Sequence, residues 1–515
     1  MRKIKILWVD DEIDLLKPHI FFLEEKGYIV LTSTNGYDAL DLIEAENPDI
    51  IFLDENMPGI SGLEVLGKLK EMKSHLPVIM ITKSEEEDLM NQAIGSKITD
   101  YLIKPVNPNQ ILLSLKKNLN KKAFISESTT INYRQEFAKI SMQINDSLDS
   151  EGWKDIYKKL VYWEIELEQA DNEMEEILRY QKAEANNNFA KYIQRNYIHW
   201  IQNEDKRPLI SPDIFKKRVF PQLDRNEKVF FVLIDNFRLD QWRSIMPLIA
   251  EDFHFEEELY YSILPTATQY SRNAIFSGLM PNQIAKMFPE LWVDEDEEDG
   301  KNLNESPLIH TLLERYRRRH TFSYTKNTDS RFAEKLSQTV AEWEQNDLNV
   351  LVVNFIDMLS HVRTESKMIR ELASTEAAYR SITRSWFKHS GTLDLLRLIA
   401  KKGFKIVLTT DHGTIRVNNA VKVVGDKNTN TNLRYKVGKN LNYNPKEVFE
   451  IKKPLEAGLP VPNLSSTYIF AENNDFLAYP NNYNYYVSYF KNTFQHGGIS
   501  LEEMLIPYVT LNIKN

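Results

Sequence analysis

The fold of the C-terminal part of this chain is decided by the stretch Val229-Phe-Phe-Val-Leu-Ile-Asp235. It consists of six apolar residues followed directly by a carboxylate. Two stretches repeat the pattern, Val350-Leu-Val-Val-Asn-Phe-Ile-Asp357 and Ile406-Val-Leu-Thr-Thr-Asp411-His412. Continuous runs of Val, Ile, Leu and Phe are typical of strands that are buried on both faces of a parallel sheet. Ligands of such sheets bind beyond the carboxyl ends of the strands. The pattern therefore predicts an α/β fold with one site at the strand ends.

Histidines complete this set as candidate metal ligands. His412 follows Asp411 directly, His361 lies four residues after Asp357, and His496 precedes two glycines. Three Asp and three His suit two divalent cations of the zinc class. The chain has no Cys, so its metal sites must use Asp and His rather than thiolates. The constellation predicts a binuclear metal hydrolase.

A second series of polar strand ends occupies the N-terminal part. An acidic pair, a single Asp, a hydroxyl and a Lys follow four apolar runs in turn, at Asp10, Asp11, Asp54, Thr82 and Lys104. This order, with the stretch Asp54-Glu-Asn-Met-Pro-Gly59, resembles the receiver domain of two-component response regulators. The resemblance implies a CheY-like, doubly wound parallel sheet. It also implies Asp54 as the phosphoacceptor and a sensor histidine kinase as the phosphodonor.

The same resemblance implies a magnesium site. Asp11 and Asp54 would bind Mg²⁺ with help from the Asn56 carbonyl, and Asp10 would lie close by. These ligands suit the ion, because Mg²⁺ prefers a few carboxylates plus waters. Mg²⁺ also neutralises the charge that builds up on a transferring phosphoryl group.

Activation of the receiver is expected to use three further residues. By the resemblance, Thr82 and Lys104 would contact the phosphoryl group, and Tyr101 would change rotamer. Receivers commonly pair through the surface beside Tyr101 and Lys104. We therefore expect phosphorylation of Asp54 to favour a homodimer.

Between residues 121 and 207 the pattern is helical. Apolar residues recur in alternating steps of four and three, at Ile156, Leu160, Trp163, Leu167, Ala170, Met174 and Ile177. This spacing predicts a helix with one apolar seam, and a second helical stretch runs from Asn188 to Gln202. The seam fits a helical domain that packs within the chain, and it also fits a signalling bundle or a dimer contact. We expect three domains, a receiver at 1–120, a helical linker at 121–207 and an effector at 208–515.

Composition bounds the class of protein. The 515 residues are 42% hydrophobic and 27% charged, and the net charge of −10 is unfavourable for nonspecific duplex binding. No run approaches the roughly 20 apolar residues that cross a bilayer, and the N-terminus lacks a signal-peptide core. We therefore expect a cytoplasmic location and no membrane span. No short helix-turn-helix module follows the receiver, so direct sequence-specific DNA binding is not expected.

The stretch Leu264-Pro-Thr-Ala-Thr-Gln-Tyr-Ser-Arg-Asn273 contains the candidate nucleophiles. A metal-dependent phosphoryl transferase needs a hydroxyl that a metal can deprotonate, and Thr266, Thr268 and Ser271 compete for this role. The order of elements over residues 208–515 resembles the PglZ branch of the alkaline-phosphatase superfamily. By this resemblance Thr268 is the nucleophile.

The resemblance also divides the ligands between two Zn²⁺ ions, with Mn²⁺ as a further candidate. One ion would take Asp235, Thr268, Asp411 and His412, and the other would take Asp357, His361 and His496. Receiver, helical middle and PglZ domain in this order are similar to the PorX-type response regulators of the type IX secretion system of Bacteroidota. That similarity implies control of secretion through cytoplasmic regulatory or secretion-system proteins.

The expected activity is phosphodiester hydrolysis. The pattern around Thr268 is similar to that of nucleotide phosphodiesterases and pyrophosphatases, so nucleotide or short oligonucleotide substrates are expected. Aromatics before His496 could stack on bases, although packing is the better explanation of them, at Tyr483, Tyr485, Tyr486, Tyr489 and Phe490. Arg272 and Asn273 are candidate ligands of a terminal phosphate, which would favour monoesters. The alternatives are therefore a phosphomonoesterase and a receiver-controlled docking regulator whose metals are mainly structural.

Overall fold

The computed structural model describes residues 4–73, 76–82, 98–168, 173–294, 302–327, 340–358, 375–425, 429–462 and 465–514. Of Glu71, residues 116–128 and Glu173 it describes the backbone alone. The chain divides into two compact units, Met1–Asn132 and Tyr133–Asn515. The predicted metal ligand His361 lies outside the described residues.

The first unit contains a five-stranded parallel sheet. Its strands are β1 Lys5–Val9, β2 Ile29–Ser33, β3 Ile50–Asp54, β4 Val78–Thr82 and β5 Asp100–Ile103, in the spatial order β2-β1-β3-β4-β5. The described helices are α1 Lys17–Glu25, α2 Gly36–Glu46, α3 Gly62–Met72 and α4 Pro108–Asn145, and the last of these continues into the second unit. Along β1, Leu7 and Val9 join one hydrophobic cluster while Ile6 and Trp8 join another. Both faces of the sheet are thus buried, which explains the continuous apolar runs.

Two further helices of the linker are α5 Ser150–Leu167 and α6 Glu173–Gln202. Asp149 caps α5, because its side chain accepts a hydrogen bond of 2.8 Å from the Gly152 amide. The predicted seam is buried in α5, at Ile156, Leu160, Trp163 and Leu167. In the described residues α5 ends at Leu167 and α6 begins at Glu173, so the seam is divided between two helices. In α6 Met174 is buried and Ile177 is 37% exposed, while the predicted seam residue Ala170 lies outside the described residues. The buried seam residues belong to the same hydrophobic cluster as the effector sheet, so this face packs within the chain.

Buried ion pairs also join the linker to the effector. The guanidinium of Arg380 lies 2.9 Å from Glu164 and 2.9 Å from Glu168, both on α5, and 3.1 Å from Asp240. Lys182 on α6 lies 2.7 Å from Glu164. Burial acts to raise the pKa of Glu164, but Lys182 and Arg380 outweigh it and hold that pKa below its ordinary value. The carboxylates here are neutralised by bases, so this cluster is an ion-pair network rather than a metal site.

The effector has a six-stranded mixed sheet. Its strands are β6 Val229–Ile234, β7 Phe253–Tyr261, β8 Phe322–Asn327, β9 Leu348–Val353, β10 Lys405–Thr409 and β18 Leu505–Ile513. The spatial order is β7-β18-β10-β6-β9-β8, with β8, β9, β6 and β10 parallel and β18 antiparallel to both of its neighbours. The three apolar stretches of the sequence therefore form adjacent strands β9, β6 and β10, and their carboxyl ends meet at one edge.

The described helices of the effector are α7 Phe220–Leu223, α8 Leu239–Ile249, α9 Thr268–Ser277, α10 Pro281–Met287, α11 Glu305–Arg315, α12 Val340–Trp343, α13 Glu376–His389, α14 Thr392–Lys401, α15 Tyr483–Phe490 and α16 Leu501–Met504. No helix in the described ranges is long and apolar enough to cross a membrane.

Three small sheets follow the metal-ligand stretch of β10. Strand β11 Ile415–Arg416 pairs with β17 Phe494–Gln495, and β12 Asn419–Lys422 pairs with β16 Asp475–Ala478. The third sheet has the order β13 Tyr435–Gly438, β15 Thr467–Phe470 and β14 Phe449–Ile451. The β11–β17 pair brings the segment after His412 beside the segment before His496.

Candidate phosphorylation site and metal centre

The receiver site lies at the carboxyl ends of β1 and β3. Asp10 follows β1 and is fully buried, and Asp54 is the last residue of β3 and is 4% exposed. Carboxylate oxygens of Asp10, Asp11 and Asp54 all lie within 4.8 Å of one another. Lys104 extends from the end of β5, with its Nζ 2.7 Å from Asp10 and 2.9 Å from Asp54. The predicted acidic pair, phosphoacceptor and lysine are therefore together.

The electrostatics of this site favour a bound cation. Burial raises the pKa of Asp54, although Lys104 opposes the shift. Burial acts to lower the pKa of Lys104, but its bonds to Asp10 and Asp54 outweigh burial and raise that pKa. Oδ1 of Asp54 is buried without a hydrogen-bond partner in the described part of the chain. Among the described residues Lys104 pairs with two of the three carboxylates, so the site fits a divalent ion that takes oxygen ligands.

The predicted switch residues Thr82 and Tyr101 are in contact. Thr82 ends β4 and is buried, whereas Tyr101 in the adjacent strand β5 is partly buried. Burial raises the pKa of Tyr101, and a hydrogen bond to the Thr82 side chain opposes the shift. Asn56 is exposed, two residues beyond the phosphoacceptor, and its role as a carbonyl ligand stays a prediction.

The effector site begins with three buried ligands. Asp235 follows β6 directly, and Asp411 and His412 follow the adjacent strand β10 by two and three residues. Nε2 of His412 lies 3.9 Å from Oδ1 of Asp235 and 3.9 Å from Oδ2 of Asp411. The other ring nitrogen, Nδ1, lies 3.1 Å from the Gly413 carbonyl oxygen. That hydrogen bond needs the proton on Nδ1, which leaves the lone pair of Nε2 for a metal.

Thr268 stands at the first position of α9, facing these ligands. Its Oγ1 lies 3.1 Å from Nε2 of His412 and 3.5 Å from Oδ1 of Asp235. The competing hydroxyls of Thr266 and Ser271 are fully buried. The Thr266 hydroxyl bonds the Gly498 carbonyl, and the Ser271 hydroxyl bonds the Ser262 hydroxyl. Of these three hydroxyls, only that of Thr268 meets the metal-ligand atoms.

The second half of the site contains Asp357 and His496. Nε2 of His496 lies 4.0 Å from Oδ1 of Asp357, and both side chains are partly exposed. The rings of His412 and His496 are stacked, with centroids 4.3 Å apart. The two proposed ligand sets are therefore adjacent. Asp357 lies in a helical turn beyond β9 rather than at the strand end that the sequence suggested.

Arg272 is an integral part of the centre. It is fully buried on α9, where it bonds Asp235 and lies 2.9 Å from Oδ2 of Asp411. The suggestion that Arg272 binds a terminal phosphate is wrong, because the guanidinium is enclosed and already bridges two carboxylates. Asn273 is also buried, at 3% exposure, so it too lacks access to a substrate.

The carboxylates of the centre have unequal pKa values. Burial raises the pKa of Asp235 well above its ordinary value, although Arg272 opposes the shift. Burial acts to raise the pKa of Asp411 as well, but Arg272 and His412 outweigh it and lower that pKa. Arg272 pairs with Asp235 and Asp411, and Asp357 adds a further carboxylate beside them, so the described part of the centre has an excess of negative charge that divalent cations would balance.

Two neighbours of the candidate metal ligands contribute to the site, and one of them, Asn236, escaped sequence reasoning. Asn236 has a left-handed backbone with φ of +63°. Its backbone amide nitrogen lies 3.4 Å from Oδ1 of Asp411, and its side-chain amide nitrogen lies 3.4 Å from Oδ1 of Asp357. Asn is among the few residues that adopt this conformation readily. An Asn directly after the candidate ligand Asp235 was therefore the signal in the sequence that could have pointed to this residue. Gly413 leaves no room for a side chain, because a Cβ would collide with the Glu502 carbonyl.

Comparisons with known protein families match three segments. Residues 6–116 match the response regulator receiver domain, and residues 123–201 match the PorX response regulator linker domain. Residues 214–511, more than half of the chain, match the BREX system PglZ alkaline phosphatase-like domain. This chain belongs to the PglZ family. The order of receiver, linker and PglZ domain confirms the predicted PorX-type architecture and the α/β fold class.

These domains establish the coarse functions. The receiver is a domain of the kind found in two-component response regulators, and it implies phosphorylation by a histidine kinase. The PglZ domain indicates a hydrolase of the phosphoesterase type. Receiver and alkaline phosphatase-like domains both typically bind divalent metals, in agreement with the two carboxylate clusters.

Individual relatives cover smaller parts of the chain. The alkaline phosphatase synthesis transcriptional regulatory protein PhoP of Bacillus subtilis is 34% identical over 127 residues, which are 24% of this chain. The match spans about half, 52%, of that relative's length. A CheY-like receiver structure from Methanospirillum hungatei is 28% identical and covers 23% of this chain and 96% of its own, with a TM-score of 0.23. A receiver structure from Clostridium thermocellum is 29% identical, with 24% and 98% coverage and a TM-score of 0.23.

Proposed function

We propose that the PglZ domain is a binuclear-metal phosphodiesterase with Thr268 as nucleophile, controlled by phosphorylation of Asp54. The observation that carries the proposal is the position of the Thr268 hydroxyl, 3.1 Å from Nε2 of His412 and 3.5 Å from Asp235. A free threonine is a weak nucleophile at neutral pH and needs an activating partner. Here the hydroxyl lies beside the atoms that would hold such a partner.

The residues fit two zinc-class ions, with Mn²⁺ as an alternative. Oxygen and imidazole donors suit these ions, and both histidines use Nδ1 to bond a carbonyl oxygen. One ion would be held by Asp235, Thr268, Asp411 and His412, and the other by Asp357, His361 and His496. Two bound ions would supply Lewis acidity to the attacking and leaving oxygens of a phosphate ester.

The chain's own residues orient the reaction. The start of α9 holds the Thr268 hydroxyl at the edge of the ligand cluster, where it is partly exposed to an incoming ester. Arg272 fixes the carboxylates of Asp235 and Asp411 from the buried side. Because Arg272 is enclosed, it does not hold the terminal phosphate of a monoester. We therefore propose diesters as the preferred substrates.

Nucleotide or short oligonucleotide diesters are the proposed substrate class. Tyr485 and Tyr486 on α15 are 64% and 41% exposed, and Tyr489 stacks on Tyr485 with ring centroids 6.0 Å apart. Of the five aromatic residues on this helix, Tyr483 and Phe490 pack against a hydrophobic cluster, whereas Tyr485, Tyr486 and Tyr489 do not belong to it. Exposed aromatics at a helix that ends six residues before His496 suit stacking on bases.

The deciding experiment compares three substrates with zinc present: a bis-aryl phosphate, a mono-aryl phosphate and a short oligonucleotide. We expect wild-type protein to cleave the two diesters faster than the monoester. Tyr485→Ala with Tyr486→Ala should slow only oligonucleotide cleavage, because the aryl ester has no bases to stack. Faster monoester cleavage would favour a phosphomonoesterase. No turnover of any ester by metal-loaded protein would favour a docking regulator with structural metals.

The second part of the proposed function is regulation through the receiver. We propose that a sensor histidine kinase phosphorylates Asp54 with Mg²⁺ at the receiver, and that the output is control of type IX secretion through cytoplasmic partner proteins. The cluster of Asp10, Asp11, Asp54 and Lys104 supports the phosphorylation step. Deletion of the gene should then abolish type IX secretion, and Asp54→Ala in its place should mimic the unphosphorylated state.

A further inference from the structure

The residue Thr266 holds the His496 segment at three points. Its Oγ1 donates a hydrogen bond of 2.9 Å to the Gly498 carbonyl and accepts one of 3.0 Å from the Gly497 amide. Its backbone carbonyl oxygen lies 3.1 Å from Nδ1 of His496. One buried residue therefore contacts the ring and both glycines that follow it.

The contact with the ring decides which nitrogen of His496 is available. A carbonyl oxygen only accepts hydrogen bonds, so Nδ1 must carry the proton. Nε2 then keeps its lone pair, and this atom faces Asp357 at 4.0 Å. The arrangement is the one in which a histidine binds a metal through one nitrogen while the other donates to the protein.

The contacts with the glycines fix the path of the backbone. Gly497 has a φ of +123°, and a Cβ on Gly498 would collide with the Ala471 carbonyl. The Gly498 amide is held separately, because it donates to Glu503 at 2.9 Å. The Thr266 hydroxyl thus lies between two peptide groups in a loop that packs closely against the Ala471 carbonyl at Gly498. Removing it would leave the Gly497 amide and Gly498 carbonyl without this partner, at a cost in free energy.

We infer that Thr266 is a positioning residue that fixes the second metal position relative to the nucleophile. Thr266 orients His496, and two residues later Thr268 meets His412 and Asp235 in the first position. One segment of three residues therefore sets the geometry between both halves of the centre. This inference rests on the proposed binuclear function, and it assigns Thr266 a role other than that of nucleophile.

The test counts bound zinc in Thr266→Val and Thr266→Ser after equilibrium dialysis against buffered zinc. Valine keeps the shape of threonine without its hydroxyl, whereas serine keeps the hydroxyl. Valine keeps the carbonyl that bonds His496 but loses the hydroxyl that holds Gly497 and Gly498. We therefore expect Thr266→Val to lose affinity for one of two ions by about tenfold, the low end of the cost of disturbing the partners of a metal ligand. Thr266→Ser should restore the affinity. Two ions bound by Thr266→Val with wild-type affinity would overturn the inference.

Thr383→Val is the matched control. Thr383 is also fully buried, and its hydroxyl bonds Gln241 and Tyr379 rather than a metal ligand. The Thr383→Val variant should bind two zinc ions with wild-type affinity. If Thr266→Val does not fold, Thr266→Ala provides the comparison with serine, and equal zinc affinities of those two variants would overturn the inference. Wild-type protein that binds fewer than two ions would instead refute the proposed binuclear function itself.

Discussion

Three aliphatic hydroxyl groups lie within the six residues from Thr266 to Ser271, and their surroundings assign them different roles. Ser271 bonds Ser262 and the backbone behind the site, while Thr266 bonds the glycine loop. The Thr268 hydroxyl alone of the three meets the ligands of the first metal position. The sequence offered all three as nucleophiles, and only the folded segment separates them.

Thr268→Ala tests the nucleophile directly. Turnover of a bis-aryl phosphate should fall by at least about a thousandfold, because the variant lacks the hydroxyl that would attack phosphorus. The variant should still bind zinc and melt like wild type, since the side chain is small and partly exposed. Ser271→Ala, which changes a hydroxyl in the same helix, should keep most activity. Wild-type turnover by Thr268→Ala would show that the nucleophile is a different group.

Asp54→Ala tests the receiver. Incubation with acetyl phosphate and Mg²⁺ should add one phosphoryl group to wild-type protein, measured by intact mass, and none to the variant. The reason is that Asp54 ends β3 with Oδ2 bonded to Lys104, while its Oδ1 is buried without a hydrogen-bond partner among the described residues. Asp41→Ala, at a surface position of α2, should label normally. Stoichiometric labelling of Asp54→Ala would place the phosphoacceptor elsewhere.

Strand ends were the most predictable elements of this protein. A run such as Val229–Ile234 is apolar because both faces of the strand are buried. Six consecutive residues are enough to predict this burial. Asp357 was harder to place, since the chain leaves β9 at Val353 and enters a helical turn first. Asn236 was missed because its role depends on carboxylates far along the chain, at Asp357 and Asp411.

The region from Val424 to Pro462 shows where composition misleads. Its Asn, Lys, Gly and Pro residues suggest a loop, yet it contributes β13 and β14 to a three-stranded sheet. These strands are four and three residues long, too short for a period to show. Their apolar residues are buried against β15, which comes later in the chain, so the pairing is a tertiary effect.

Lys436 in β13 predicts a pH effect on stability. Its ammonium group donates to the Asn430 carbonyl at 2.9 Å and lies 4.3 Å from the Tyr479 ring centroid, and burial lowers its pKa to about 7. An unfolded lysine titrates near about 10.4. The unfolded chain therefore binds the extra proton between these values, so the burial penalty is full below about pH 7 and disappears as pH rises toward 10.

Lys436→Met should remove that penalty. We expect its melting temperature to exceed that of wild type at pH 6.5, with a smaller difference at pH 9.5. Lys446→Met, at an exposed lysine of the same region, should leave stability unchanged at both values. A difference for Lys436→Met that grows with pH would contradict the assigned titration.

Linker and effector depend on each other through Arg380. Arg380→Met would leave Glu164, Glu168 and Asp240 without their shared base. Removing one partner of a buried ion pair costs about 3–5 kcal/mol when the other charge is left alone. Because Glu164 keeps Lys182 and Asp240 keeps Arg238, we expect a loss of about 3 kcal/mol in the free energy of unfolding. Arg384→Met on the exposed face of α13 should change stability little. Denaturant unfolding of the two variants measures the contrast, and equal midpoints would show that the network contributes nothing.

Phosphorylation should change the oligomeric state of the full chain. We expect wild-type protein treated with acetyl phosphate to double its mass in light scattering, because a new charge at Asp54 would reorganise Thr82 and Tyr101 beside the usual pairing surface. Untreated protein and treated Asp54→Ala serve as controls at the same concentration. An unchanged mass over a wide concentration range would favour a switch within one chain.

The buried pairs between α5 and Arg380 also restrict how such proteins are rearranged during evolution. A recombination event between residues 202 and 208 would bring together a linker and an effector with unmatched charges, and the hybrid would bury charges that lack some of their partners. A crossover upstream of Tyr133 would keep every one of these pairs. Lineages that exchange their sensory modules should therefore inherit the linker helices and the PglZ domain as a single block.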